Sequence, residues 1–118
     1  MQRTPRKTDP QYLDWIRSLP CLLCGDNTTV EAAHVRLGER LLDKRPVGKG
    51  EKPDDRWALP LCGRHHRQQH AIGESVFWKG HDVQPLVACL VLQHSYNRDE
   101  RDSAERFIAS LVNSATEA

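Results

Sequence analysis

No stretch of this 118-residue chain approaches the ~18 consecutive apolar residues that a bilayer-crossing helix needs, so no membrane passage is expected. Aromatic residues are scarce, at 6%, and the formal net charge is only +1, which excludes a strongly acidic or strongly basic protein as a whole. The segment Met1 to Pro10 carries charge without an apolar run behind it, so it does not read as a secretory signal and a cytoplasmic protein is expected. In that compartment the four cysteines are expected to stay thiols or to bind metal rather than pair as disulfides. Internal repeats are also lacking. At this length the chain is expected to form a single domain, 1–118, that buries only about two-thirds of the surface its unfolded chain would expose, so a supplementary staple helps.

What is present is unevenly distributed. From His34 to Arg67 there are nine Lys or Arg against five Asp or Glu, whereas the balance turns acidic from Arg98 onward. The polar residues Met1 to Asp9 read as a frayed lead-in. Asp9 then has the character of an N-cap and Pro10 that of a first helical residue. Tyr12, Leu13, Trp15, Ile16 and Leu19 recur at helical spacing, which predicts a helix over 10–19 stopped by Pro20. Thr28 to Arg36 alternates like a strand, with Val30, Ala32, His34 and Arg36 on one face. Leu37 to Asp55 reads as a loop, Trp57 to Leu61 as the partner strand, and Cys62-Gly63 as the turn into a helix carrying three histidines. Two helices are predicted within 82–114. Asp82 would cap one holding Leu86, Val87, Leu90 and Val91, and the other would start near Asp99 and carry Ala104, Phe107, Ile108 and Leu111. This order of elements predicts an α+β fold class.

Cys21 and Cys24 form a C-x2-C pair, and Cys62 with His65 forms a C-x2-H pair. Each spacing lets two soft ligands reach one ion from a tight turn, and two such pairs complete a closed tetrahedral Zn²⁺ site. A closed site has no position for water, so its contribution is folding energy. A redox C-x-x-C usually sits in a βαβ context that is absent here. Cys89 lies on an apolar helical stripe and reads as a core thiol.

His66 and His70 are four residues apart, separated by about 40° around a helix, so both can face one ion. His65 and His70 would diverge by about 140°. This divides the labour: His65 turns to the cysteines, while His66 and His70 are free to hold a catalytic divalent ion such as Mg²⁺ or Mn²⁺ with open coordination positions. His34, on the first strand, carries an imidazole suited to taking a proton from water attacking a phosphodiester. Arg36, on the same strand face, is placed to hold phosphate. His81 and His94 lie outside this pattern and read as surface residues. Trp15, Trp57, Trp78 and Phe77 read as core.

The segments Cys-x2-Cys, Ala-Ala-His-Val-Arg and Lys-Pro-Asp-Asp-Arg-Trp-Ala-Leu-Pro-Leu-Cys-Gly-Arg-His-His-Arg-Gln-Gln-His together resemble the HNH, or His-Me finger, nucleases, above all small phage- and prophage-type members. The resemblance covers 20–80 and implies that this segment is a small zinc-stapled ββα-metal finger with flanking helices. It implies His34 as general base, His66 and His70 as ligands of the catalytic ion, and Cys21, Cys24, Cys62 and His65 as paired zinc knuckles. Many members place Asp or His immediately before the base, where this chain has Ala33. The middle-motif asparagine is replaced by Asp54 or Asp55, and the phage-type match favours Asp55, either to orient the His34 ring or to complete the metal shell.

Arg40, Lys44, Arg45, Lys49 and Lys52 concentrate in the loop beside this site, where cations would neutralise phosphates with little sequence choice. The expectation is therefore a metal-dependent endonuclease acting on nucleic acid, DNA in the first instance. The competing expectation is a non-catalytic zinc module that binds nucleic acid or a protein. The apolar faces of the flanking helices would pack on the finger or make a homodimer.

Overall fold

The computed structural model describes residues 6–39, 44–46 and 52–117, with side chains through Ala115. Helix α1 spans Pro10–Arg17, and the side chain of Asp9 accepts from the Tyr12 N–H at 3.1 Å, as the Asp-Pro pair predicted. Strands β1 (Val30–His34) and β2 (Ala58–Cys62) form a two-stranded antiparallel ribbon in which Val30 faces Cys62 and His34 faces Ala58. Helix α2 (Gly63–Ile72) leaves directly from the end of β2. It is followed by α3 (Glu74–Gly80), α4 (Pro85–Asn97) and α5 (Arg101–Glu117). The class is α+β, as expected, with five helices among the described residues.

All five residues of β2 are buried, so this strand is covered on both faces and is apolar throughout rather than alternating. Helix α1 packs on both strands, α4 packs on β2, and α5 reaches the core through α4. Ile16, Leu19, Leu22, Leu59, Leu61, Trp78, Leu92 and Ile108 fill the space between them. Pro60 sits in mid-strand without a ladder N–H to give, which a two-stranded ribbon tolerates because each strand is an edge. Its carbonyl accepts from the Leu22 N–H at 2.9 Å, and that bond ties the first cysteine pair to β2.

Three sequence expectations change. Helix α3 was not foreseen: its seven residues are too few to display a period, and only Phe77 and Trp78 bury. Gly73, at φ +89°, breaks the chain between α2 and α3 in a conformation that side-chain-bearing residues rarely adopt. Asp82 does not cap α4. It lies just past the end of α3 at φ +55°, donating its N–H to Lys79 O at 3.1 Å, while the Gln84 side chain caps α4 by accepting from Leu86 N at 3.1 Å. Finally, residues 6–9 are not frayed. They lie against the turn at Asp54 and Asp55, with the Lys7 N–H on Asp54 Oδ1 at 2.9 Å and the Asp55 N–H on Lys7 O at 3.1 Å.

Candidate metal centre and the histidines around it

The knuckle at Cys21 is built by local hydrogen bonds. The Gly25 N–H donates to Cys21 O at 2.9 Å, with Gly25 at φ +77°, and the Cys21 N–H donates to Asp26 O at 2.8 Å. The Leu22–Pro60 bond and the turn into α2 then carry this knuckle to the second pair. Ligand atoms of Cys21, Cys24, Cys62 and His65 lie within 4.8 Å of one another. His65 Nδ1 is 3.2 Å from Cys62 Sγ and 3.6 Å from Cys21 Sγ, and Cys24 Sγ is 3.9 Å from Cys62 Sγ. Ligands on a tetrahedral Zn²⁺ would stand about 3.5–3.8 Å apart; the separations of 3.2 to 3.9 Å bracket that range, and the thiol and imidazole donors have the softness that suits zinc. Cys21, Cys62 and His65 are buried, and Cys24 is at the surface. Burial keeps the His65 imidazole below its ordinary pKa, hence neutral and available as a ligand. His81, expected at the surface, instead stacks its ring edge against His65 at 5.6 Å and packs on Phe77.

His34 closes β1. Its Nε2 lies 2.9 Å from Oδ1 of Asp55, whose residue is 2% exposed. A carboxylate only accepts, so Nε2 carries the ring proton and Nδ1 is left as the basic nitrogen. Asp55 Oδ1 also pairs with the Arg6 guanidinium, and Asp55 Oδ2 accepts from the Asp9 N–H at 2.7 Å. Burial works to raise the Asp55 carboxyl, but the Asp9 N–H, the His34 ring and Arg6 outweigh it and hold the pKa below the ordinary range. The contacts of Arg6 and of the Asp9 N–H with Asp55 carry no signal in the sequence, because they span more than forty residues of chain.

His66 and His70 meet, as helical spacing implied. Their Nε2 atoms are 3.2 Å apart and their ring centroids 4.8 Å. They do not converge with His34 on one cluster: among the described residues only the Cys21, Cys24, Cys62 and His65 group gathers three or more such ligands. The strand explains the separation. Side chains alternate, so Glu31 and Ala33 leave β1 from the face opposite His34. Glu31 is the residue that reaches His66, accepting from its Nδ1 at 2.7 Å.

The remaining candidates scatter. Arg36 lies beyond the end of β1, and its backbone N–H donates to both carboxylate oxygens of Glu74 at 2.9 and 3.1 Å. Lys44 is corrected from a phosphate-facing residue to a buried one. It is 8% exposed, with Nζ donating to Leu37 O at 2.5 Å and lying 5.7 Å from the Trp57 ring. Arg45 and Lys52 are exposed, whereas Arg40 and Lys49 fall outside the described residues. Cys89 is buried in the core with its thiol held protonated by burial, as expected. Trp57, Trp78 and Phe77 are buried and Trp15 packs against the core. No helix of the described residues is long and apolar enough to cross a membrane.

The chain belongs to the family described as a protein of unknown function, DUF968, whose profile matches residues 2–98. No curated protein and no solved structure matches it.

Proposed function

We propose that this member of the DUF968 family is a divalent-metal-dependent endonuclease with a ββα-metal finger of the HNH type, hydrolysing phosphodiester bonds in DNA. The observation that carries the reading is the 2.9 Å pairing of His34 with the buried Asp55, because it fixes the ring and leaves Nδ1 as its basic atom. An imidazole so oriented can take the proton of a water molecule as that water attacks phosphorus. At 22% side-chain exposure His34 is reachable from solvent. The β1–β2–α2 segment supplies the ribbon and helix of such a finger, and a zinc held by Cys21, Cys24, Cys62 and His65 would fasten the two together.

His66 and His70 fit a second ion: two imidazole nitrogens sharing one divalent cation stand about 3.0–3.4 Å apart, and here they are 3.2 Å apart. Because the pair does not converge with His34, such an ion would supply Lewis-acid stabilisation of the phosphate charge where the bound strand reaches both positions. Arg45 and Lys52, both exposed, would add salt-sensitive attraction for the backbone.

One observation favours a second reading, a zinc module that binds without cutting. Ala33 is fully buried and offers no ligand atom where many HNH nucleases place one. Plasmid nicking with Mg²⁺ or Mn²⁺ separates the two. Cleavage by the wild type that falls about 10²–10⁴-fold in His34→Ala supports the nuclease. Equal cleavage by both removes His34 as base, and cleavage by neither favours the binding module.

A further inference from the structure

The strand that lacks a ligand at Ala33 carries a carboxylate two residues earlier on the same face, and that carboxylate touches the histidine pair. We propose that Glu31 is the positioning residue of a divalent-cation site formed by His66 and His70, and that it holds His66 Nε2 ready to bind the ion. The inference rests on the two-histidine site proposed above and deepens it.

The contact determines the tautomer. Glu31 Oε1 lies 2.7 Å from His66 Nδ1, and because the carboxylate can only accept, Nδ1 bears the proton. The neutral ring then presents a lone pair at Nε2, the atom that stands 3.2 Å from His70 Nε2. Carboxylate, imidazole and the cation position thus fall in sequence across the His66 ring, the arrangement by which an outer carboxylate raises the basicity of a metal-binding histidine and fixes its orientation. Glu31 does not itself take the ligand place, because its oxygen sits on Nδ1 rather than beside Nε2.

Glu31 Oε2 lies beside the start of α2, 3.6 Å from where a Cβ on Gly63 would stand, so a side chain there would touch the carboxylate only at ordinary contact distance, whereas the Arg67 guanidinium, at 3.1 Å, would have to give. His66 is only 22% exposed while Glu31 is 54% exposed, so the carboxylate approaches a half-buried ring from the solvent side. A plain surface pairing of this kind would leave cation affinity unchanged, and this difference is what the experiment reads.

Mn²⁺ is titrated into the zinc-loaded full chain and followed by the loss of the free-ion paramagnetic resonance signal, for the wild type and for Glu31→Ala, Glu31→Gln, His66→Ala and His34→Ala. Glu31→Ala is expected to weaken Mn²⁺ binding by about 10–100-fold, with Glu31→Gln intermediate, while zinc content and thermal unfolding stay at wild-type values. His34→Ala is expected to bind Mn²⁺ like the wild type. Unchanged affinity in Glu31→Ala overturns the role of Glu31 alone. Wild-type protein that binds no Mn²⁺, or His66→Ala that binds it as well as wild type, overturns the two-histidine site and the role of Glu31 with it.

Discussion

His34 and Arg6 share a single oxygen of one carboxylate, Asp55 Oδ1, although they come from segments that are far apart in sequence. The other oxygen is taken by the Asp9 N–H, so the Asp55 side chain gathers the ring, a guanidinium and the start of α1 at one buried point. This arrangement makes Asp55 both an orienting group for His34 and the anchor of residues 6–9.

Replacing Asp55 should therefore affect stability and cleavage together. Asp55→Ala leaves three donors without their acceptor in a largely buried position, and a loss of about 1–3 kcal/mol is expected in urea unfolding. Nicking by Asp55→Asn should drop at least about tenfold, because the amide no longer imposes one tautomer on His34. Wild-type unfolding and wild-type nicking in these variants would remove both roles.

The same carboxylate should impose an acid limit on stability. Its folded-state pKa is depressed, so the stabilisation it gives is fully present above the ordinary carboxylate value near 3.9 and is lost as pH falls through the lower folded value. Wild type and Asp55→Asn, compared by circular dichroism during acid unfolding, should differ most above the ordinary carboxylate value and converge as the pH falls below it. A gap that widens on acidification would contradict the sign.

The cysteine cluster should hold about one zinc per chain, read by elemental analysis. Cys21→Ser is expected to lose that zinc and most of the folded signal, since Cys21 is buried among the ligands and joins the knuckle to β2 through its neighbour Leu22. Cys89→Ser should keep the full complement, because the Cys89 thiol lies in the core near Ala58 O and away from the four ligands. Zinc loss in Cys89→Ser would show that the ligand set is misassigned.

Lys44 and Lys52 should behave differently although both are lysines of one basic loop. Lys44→Ala removes a buried donor to Leu37 O and an ammonium that stands over the Trp57 ring, so a stability loss of about 1–3 kcal/mol is expected. Lys52→Ala, at an exposed position, should leave unfolding unchanged and reduce the salt dependence of DNA binding by about one unit of slope. A fall in the salt slope with Lys44→Ala at unchanged stability would reverse the assignment.

Some parts of the molecule were legible because their signals are local. Helix α1 was announced by Asp9, Pro10 and a spaced set of apolar residues, and it formed where they said. The core of β1 and the pairing of His66 with His70 likewise follow from periods of two and 3.6 residues, while β2 was legible as an apolar run and the start of α2 from the Cys62-Gly63 turn. Helix α3 has too few turns to show a period, and the cap of α4 depended on Gln84, a residue less suited to capping on propensity than Asp82.

The order of the amino acids by itself determined which residues are chemically able to act: two thiol-bearing pairs at ligand spacing, two histidines one helical turn apart, a strand histidine and an aspartate before the second strand. Only the tertiary structure decided their partners. Of the two partners the sequence left open for Asp55 it chose the His34 ring, it gave Glu31 to His66 and the protein interior to Lys44, and it brought the Arg6 segment onto a turn more than forty residues away. The physical reason is that spacing along a helix or strand fixes the direction of a side chain, whereas the group it meets is fixed by how separate elements pack. That packing follows from burying the shared apolar core and leaves no periodic trace in the sequence.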